Sequence, residues 1–201
     1  NLLSVSGNNT AGTTRSFYDA GSRIVAAVSY RKEYLNNFAT TISLFYSGQS
    51  GQNYSYVYND EGQITNQSEE STQLIYVPAN RGDIFLVDQL NDEGAVVKSA
   101  AQQWNELDAF IANDEYFSSR RGDYAERNMS RTPFENVIDL KILQDFYIET
   151  GNGTRHTLQI SWDVFNFTNF LNKDWGRRYF VGNNTVELID FQGFAGDTRI
   201  P

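Results

Sequence analysis

Asp145 and Asp163 fall on the same side of two neighbouring stretches that alternate polar and apolar residues. A pair of carboxylates is what glycoside hydrolysis needs, one to protonate the leaving oxygen and one to act as base or nucleophile. The two belong to a longer row, Asp139, Lys141, Asp145, Gln159, Ser161 and Asp163. A hydrated wall with compensating charges explains the whole row, whereas catalysis explains two of its members. Other site chemistry has little material. The chain has no cysteine and a single histidine, His156, which excludes a disulfide framework, a thiolate metal site and a histidine cluster for zinc. A net charge of −9 argues against nucleic acid, which calls for clustered Lys and Arg. No catalytic residue, cofactor or metal ligand is therefore expected.

Four further motifs are weaker than they look. Arg81-Gly-Asp83 and Arg121-Gly-Asp123 spell an adhesion tripeptide twice, but tripeptides recur by chance. Seven Asn-X-Ser/Thr sequons, among them Asn53-Tyr-Ser55 and Asn166-Phe-Thr168, are what a chain rich in these residues produces without selection for glycans. Asn59-Asp-Glu-Gly62 and Asn91-Asp-Glu-Gly94 offer oxygen ligands for a hard cation, yet neither has the spacing of a known loop, and acidic turns are usually only solvated. The tryptophans sort by position. Trp162 lies on an oily face and reads as lipid-facing or core, Trp175 as a loop or interface anchor, and Trp104 as part of a helical apolar stripe used for packing.

The elements that must position these residues are strands. From Asn136 to Ile148, residues Ile138, Leu140, Ile142, Phe146 and Ile148 share one side, against Asp139, Lys141, Asp145 and Tyr147, with Val137 and Gln144 as exceptions. From Arg155 to Asn166, Leu158, Ile160, Trp162 and Val164 oppose Thr157, Gln159, Ser161 and Asp163. With the turn signal Glu149-Thr-Gly-Asn-Gly-Thr154 between them, this is a hairpin with one oily face. Each strand of about 12 residues is twice the usual length and enough to cross a bilayer when tilted. A second hairpin is expected from Arg23–Lys32 (Ile24, Ala26, Val28 and Tyr30 on one face) and Phe38–Ser47 (Phe38, Ile42, Leu44 and Tyr46), joined by Lys32–Asn37.

Between the hairpins, Gly48 to about Glu135 lacks a regular period for roughly ninety residues, too long for a simple connection. It holds a candidate strand, Tyr54–Tyr58, the apolar run Leu74–Pro78, and a helix near Ser99–Tyr116 where Trp104, Leu107, Phe110 and Ile111 recur at helical spacing. Residues 1 to 16 read as loop. A second long connection, Phe167–Asn184, precedes a last strand region from Thr185 toward the end. Connections thus run short, long, short, long, the geometry of an outer-membrane barrel with tight periplasmic turns and extended extracellular loops. No stretch is apolar enough for a transmembrane helix, and Asn1-Leu-Leu-Ser-Val lacks the features of a signal peptide. The start without methionine and the stop at Asp197-Thr-Arg-Ile-Pro201 read as a piece of a longer protein.

The run Arg120-Arg-Gly-Asp-Tyr-Ala-Glu-Arg-Asn-Met-Ser-Arg-Thr-Pro133, followed by Asn136-Val-Ile-Asp-Leu-Lys-Ile-Leu-Gln-Asp-Phe146, resembles the penultimate region of Bacteroidetes-type TonB-dependent outer-membrane receptors. Leu158-Gln-Ile-Ser-Trp-Asp-Val-Phe-Asn-Phe-Thr-Asn-Phe-Leu-Asn-Lys-Asp-Trp-Gly176 resembles their strand-to-loop segment near the C-terminus, and Tyr54–Asp60 and Leu74–Pro78 fit their long loop. The likeness covers about residues 17 to 201 and is closest to the Oar-like group with a carboxypeptidase-regulatory-like domain, with a SusC-like relative as the neighbouring possibility. It implies an all-β chain forming the last antiparallel strands of a 22-stranded transmembrane barrel, with long extracellular loops containing a short helix. It further implies a plug domain outside residues 1–201, and the bacterial outer membrane as location. The partners implied are outer-membrane lipid, the TonB complex through the plug, an extracellular ligand such as a glycan or peptide, and a surface lipoprotein. The function expected is import of a scarce or bulky ligand, with no bond made or broken. The alternatives are a soluble β-sandwich that binds carbohydrate or mediates adhesion, and a soluble all-β hydrolase using the acidic row.

Overall fold

The computed structural model describes residues 3, 13–61, 63, 64 and 72–194. Along the chain the strands are β1 (Arg23–Tyr34), β2 (Phe38–Gln49), β3 (Asn53–Asn59), β4 (Tyr76–Val77), β5 (Gln89–Leu90) and β6 (Val96–Lys98). Helices α1 (Ala100–Asn113) and α2 (Glu115–Ser119) follow, then β7 (Asp123–Tyr124), β8 (Ser130–Arg131), β9 (Glu135–Glu149), β10 (Arg155–Val164), a short helix α3 (Phe167–Leu171) and β11 (Thr185–Asp190). The chain is mostly β, and no helix among the described residues is long and apolar enough to cross a membrane. It divides into two compact units: Ala20–Gln52 with Thr132–Phe180, and Asn53–Arg131 with the described residues of both chain ends, up to Asp19 and from Val181 on.

The first unit is one antiparallel sheet in the order β1-β2-β9-β10. The β1–β2 turn is tighter than Lys32–Asn37. Strand pairing runs to Tyr34↔Phe38, and only Leu35, Asn36 and Asn37 remain outside it, with Leu35 and Asn36 at φ 51° and 57°. Two successive left-handed residues are what a tight hairpin turn needs to match strand twist. β2 pairs with β9 from Phe38↔Phe146 to Gln49↔Glu135, although roughly eighty-five residues separate them in sequence. The turns after Tyr34 and Glu149 therefore lie at the same end of the sheet. The chain leaves at Gln49, re-enters at Glu135 and leaves again after Val164 at the opposite end. This is the alternation of connections expected from the sequence.

The second unit has its own core, built from Tyr56, Tyr58, Ile75, Val77, Ile111, Phe117 and Ala125. Ser99 caps α1 through a reciprocal pair with Gln102, satisfying two otherwise orphan N–H groups. Leu107, Phe110 and Ile111 then pack inward as the helical spacing predicts, while Trp104 is only half-buried. Asp114 ends α1 and caps α2 through Phe117 N–H (2.9 Å), so the single helix expected over Ser99–Tyr116 is two. The strand expected at Tyr54–Tyr58 is β3, and the run Leu74–Pro78 contributes β4, paired with β7. The last strand region is a correction to the all-antiparallel expectation. β11 does not extend the long sheet but pairs parallel to β3, in the order β11-β3-β8. The tail Asp197–Pro201, most of residues 1–12 and Gly62 lie outside the described residues.

Candidate functional site

Pairing register makes the long sheet's two faces continuous across all four strands. One face carries Val28, Leu44, Leu140 and Val164 in one row, and Tyr30, Ile42, Ile142 and Trp162 in the next. Toward the short turns come Lys32, Thr40, Gln144 and Ile160, then Tyr34, Phe38, Phe146 and Leu158. That last row is aromatic, with Tyr34 stacked on Phe38 (5.8 Å between centroids) and Phe38 edge-on to Phe146 (5.6 Å). In the polar row beneath it, Thr40 (2.7 Å) and the Tyr34 hydroxyl (3.1 Å) both donate to Gln144 Oε1. All nine apolar residues expected on one face of the β9–β10 hairpin, Ile138, Leu140, Ile142, Phe146, Ile148, Leu158, Ile160, Trp162 and Val164, share this face.

This apolar face lies open, and the outer strands β1 and β10 are exposed on both faces. Val28 and Leu158 are each 63% exposed and Ile148 66%, and Ile24, Tyr30, Ile42 and Trp162 are also open. Each large apolar side chain left in water forgoes roughly 1.5–3 kcal/mol of burial, so the band requires a cover. Twelve residues of β1 span about 37 Å along the strand. At a tilt of ~40° that becomes about 28 Å, close to the ~25 Å apolar band of outer-membrane barrels. Among the described residues, β1 and β10 each pair on one side only, leaving two open ladders.

The opposite face is wired by charge. Asp145, with its side chain 5% exposed, accepts from Arg31 Nη1 (2.8 Å), Gln159 Nε2 (2.7 Å) and the Tyr147 hydroxyl (3.0 Å). Arg31 also donates to Tyr147 and Glu33, and the Arg155 guanidinium lies over the Tyr147 ring at 3.5 Å. Asp163 is held separately by Lys141 (3.1 Å) and Ser161 (2.7 Å), while Asp139 accepts from Asn166 N–H (2.8 Å). Gln49 and Arg178 both donate to Glu135 (2.9 Å each). Register places Asp145 opposite Gln159 and Asp163 opposite Lys141, four residues or about 13 Å apart along the strand. That separation exceeds the ~5–9.5 Å of glycosidase pairs, and each carboxylate already has its own partners.

The remaining motifs serve the fold. In Arg81-Gly-Asp83 the Asp83 carboxylate accepts from Ala79 N–H (2.9 Å) and caps the turn with Asn80. Arg121 pairs with Asp108 (2.7 Å), and Gly122, at φ +83°, donates its N–H to Val77 O (2.7 Å). Sequon residues Asn53 and Asn128 are buried, and Asn166 donates to Gly176 O (2.9 Å). Asn91 uses its side-chain oxygen on Glu93 and Ala95 N–H groups to close the β5–β6 turn. Trp162 lies on the apolar face and Trp175 is exposed. The motif Arg120–Pro133 ties its unit together: Ala125 N–H reaches Ile75 O (2.8 Å), Asn128 N–H reaches Ser55 Oγ (2.8 Å), and Arg131 pairs with Asp19 (2.8 Å).

Sequence reasoning passed over two features. Arg31 is the hub of the polar face, and the alternation Ser29, Arg31, Glu33 was the available signal. The second unit also holds a groove of about 970 Å³, walled by the segment from Ile84 to Leu90, the α1 face bearing Leu107 and Phe110, and the stretch from Leu188 to Phe194. Its signal was the unalternating apolar run Ile84-Phe-Leu-Val87. Compared with known proteins, the chain matches no family model, no curated protein and no solved structure.

Proposed function

We propose that this chain is the C-terminal barrel part of a TonB-dependent receptor in the bacterial outer membrane, importing a scarce or bulky ligand met by its extracellular loops. The observation that carries the reading is the open apolar face of the sheet: rows of large apolar side chains exposed across four strands, crossed by one row that holds Lys32, Thr40 and Gln144, with ion pairs on the other face. A soluble sheet places its apolar face against a partner layer, whereas a barrel wall turns it to lipid and keeps charge toward the lumen. Open ladders at β1 and β10 continue into neighbouring strands of the barrel, and the two short turns face the periplasm. On this reading the connections that leave Gln49 and Val164 are extracellular, which gives a span of this length a use. No catalytic step is required of Asp145 or Asp163, which serve as wall.

Fractionation of a Gram-negative host expressing the full-length protein tests this. The protein should sediment with outer membranes, resist alkaline carbonate and come out only with detergent. A monodisperse, folded protein in detergent-free buffer would sink the receptor reading in favour of the soluble sandwich.

A further inference from the structure

The groove of the second unit has features that specify an occupant. Its walls mix aliphatic and aromatic side chains with polar and charged ones, and Phe85 and Leu90 are 65% and 55% exposed along it. The segment forming one wall is tied to α1 at two points: Asp88 accepts from Ala100 N–H (2.7 Å), and Gln103 Nε2 donates to Val87 O (2.7 Å). These two hydrogen bonds fix that wall against α1. The opposite wall includes β11, which pairs with β3 on one side and has no ladder partner on the other among the described strands. Alternate backbone groups of a parallel edge strand point away from its neighbour and can accept another strand. The lining carries three carboxylates, Asp88, Glu106 and Asp190, against one ammonium, Lys98, which is already paired to Glu106 at 2.7 Å.

We propose that this groove binds an extended peptide with alternating apolar and basic side chains, added as a strand along the free edge of β11. Backbone hydrogen bonds would supply affinity, and alternate side chains would read the apolar walls and the acidic rim. Leu188 to Asp190, the part of β11 that lines the groove, offers an edge of about 10 Å, which pairs with about three residues of such a peptide. A glycan is the rival occupant, since the rings of Tyr58, Phe85, Phe110, Phe191 and Phe194 also line the groove, and the test below includes one. The inference deepens the receptor reading by naming the ligand class, and rests on it only in taking this unit to face the ligand.

The test is fluorescence anisotropy with the full chain in detergent at ~150 mM salt, where long-range attraction to a net-acidic protein is screened. The probes are labelled acetyl-(Leu-Lys)3-amide, its (Leu-Glu)3 counterpart, a version N-methylated at alternate residues, and maltoheptaose as competitor. Saturable binding of the Leu-Lys probe is expected, weakened at least tenfold by N-methylation and by either Glu106→Lys or Phe85→Ser. Both substitutions are at exposed positions, so the fold is retained, which circular dichroism checks. Equal binding of the Leu-Glu probe, indifference to N-methylation, displacement by maltoheptaose or no saturable binding would each overturn the proposal. Its failure is separable from that of the receptor reading: a chain that inserts into lipid but ignores the peptide loses only the groove, and one that binds peptide while soluble without detergent loses only the membrane.

Discussion

Ile142→Arg puts a charge at the centre of the apolar band. Ile142 lies four residues from Phe146 toward the short turns and four from Ile138 toward the long connections, flanked across the ladder by Ile42 and Trp162. At ~3.4 Å per residue and ~40° tilt, the Phe146 and Ile138 rows lie about 10 Å to either side, which in the proposed barrel puts Ile142 near the midplane. An arginine there should cost about 2–4 kcal/mol, falling to about 0–1 near an interface. Leu158→Arg, beside the turn-end aromatics, should therefore be much milder, and Thr157→Arg, on the polar face, milder still. Urea titration of the full-length protein in phosphatidylcholine vesicles measures all three, and 2–4 kcal/mol corresponds to roughly 30- to 700-fold in the folding equilibrium. A silent Ile142→Arg, or a Thr157→Arg costlier than it, would show that the faces are inverted or that no lipid is present.

Four other outcomes follow from named contacts. Asp145→Ala should lower the urea midpoint more than Asp163→Ala, because Asp145 takes three donors in a covered site while Asp163 is 41% exposed; equal effects would remove the hub role. Phe117→Ala, fully buried with the Tyr56 ring at 4.9 Å, should cost about 3–5 kcal/mol, read by near-ultraviolet circular dichroism, and a loss under ~1 kcal/mol would mean the unit lacks a fixed core. Burial pushes the phenols of Tyr56, Tyr58 and Tyr116 above their ordinary range. Since the folded state holds those protons longer, their contribution is intact below the unfolded value near pH 10 and is lost as pH rises beyond it; Tyr58→Phe should shift alkaline unfolding upward, and an unchanged midpoint would contradict this. Replacing Asn53–Arg131 with a short Gly/Ser linker should leave outer-membrane abundance near normal, because Thr132 N–H already reaches Gln52 O (3.0 Å), while ligand binding and uptake fall together; undiminished uptake would make the unit a mere cover.

The strands were legible where periodicity is local. Ile138, Leu140 and Ile142 alternate with Asp139 and Lys141, and the turn residues after Tyr34 and Glu149 mark the hairpins, so faces and turn ends could be read off. Pairings set by long-range geometry could not. Nothing local tells β2 to join β9 across the second unit, or β11 to lie parallel to β3, because those choices are made by packing of surfaces distant in sequence. Phe45, Val137 and Leu143 sit on the polar face and break the alternation from which it would be read. The carboxylate row was visible, but only register separates Asp145 from Asp163. The groove was invisible because its walls come from an irregular segment, a helix face and a strand edge that share no periodic signal.

The claim at the centre of this account is that the exposed apolar face meets lipid. Because the chain has no cysteine, single spin labels can be placed at positions 40 to 47 of β2 in vesicle-embedded protein, and their collision rates with oxygen and with a water-soluble nickel chelate compared. A period of two is expected, with oxygen favoured at 42, 44 and 46 and the chelate favoured at 41, 43 and 47. Uniform access along β2, or oxygen favoured at the odd positions, would contradict it.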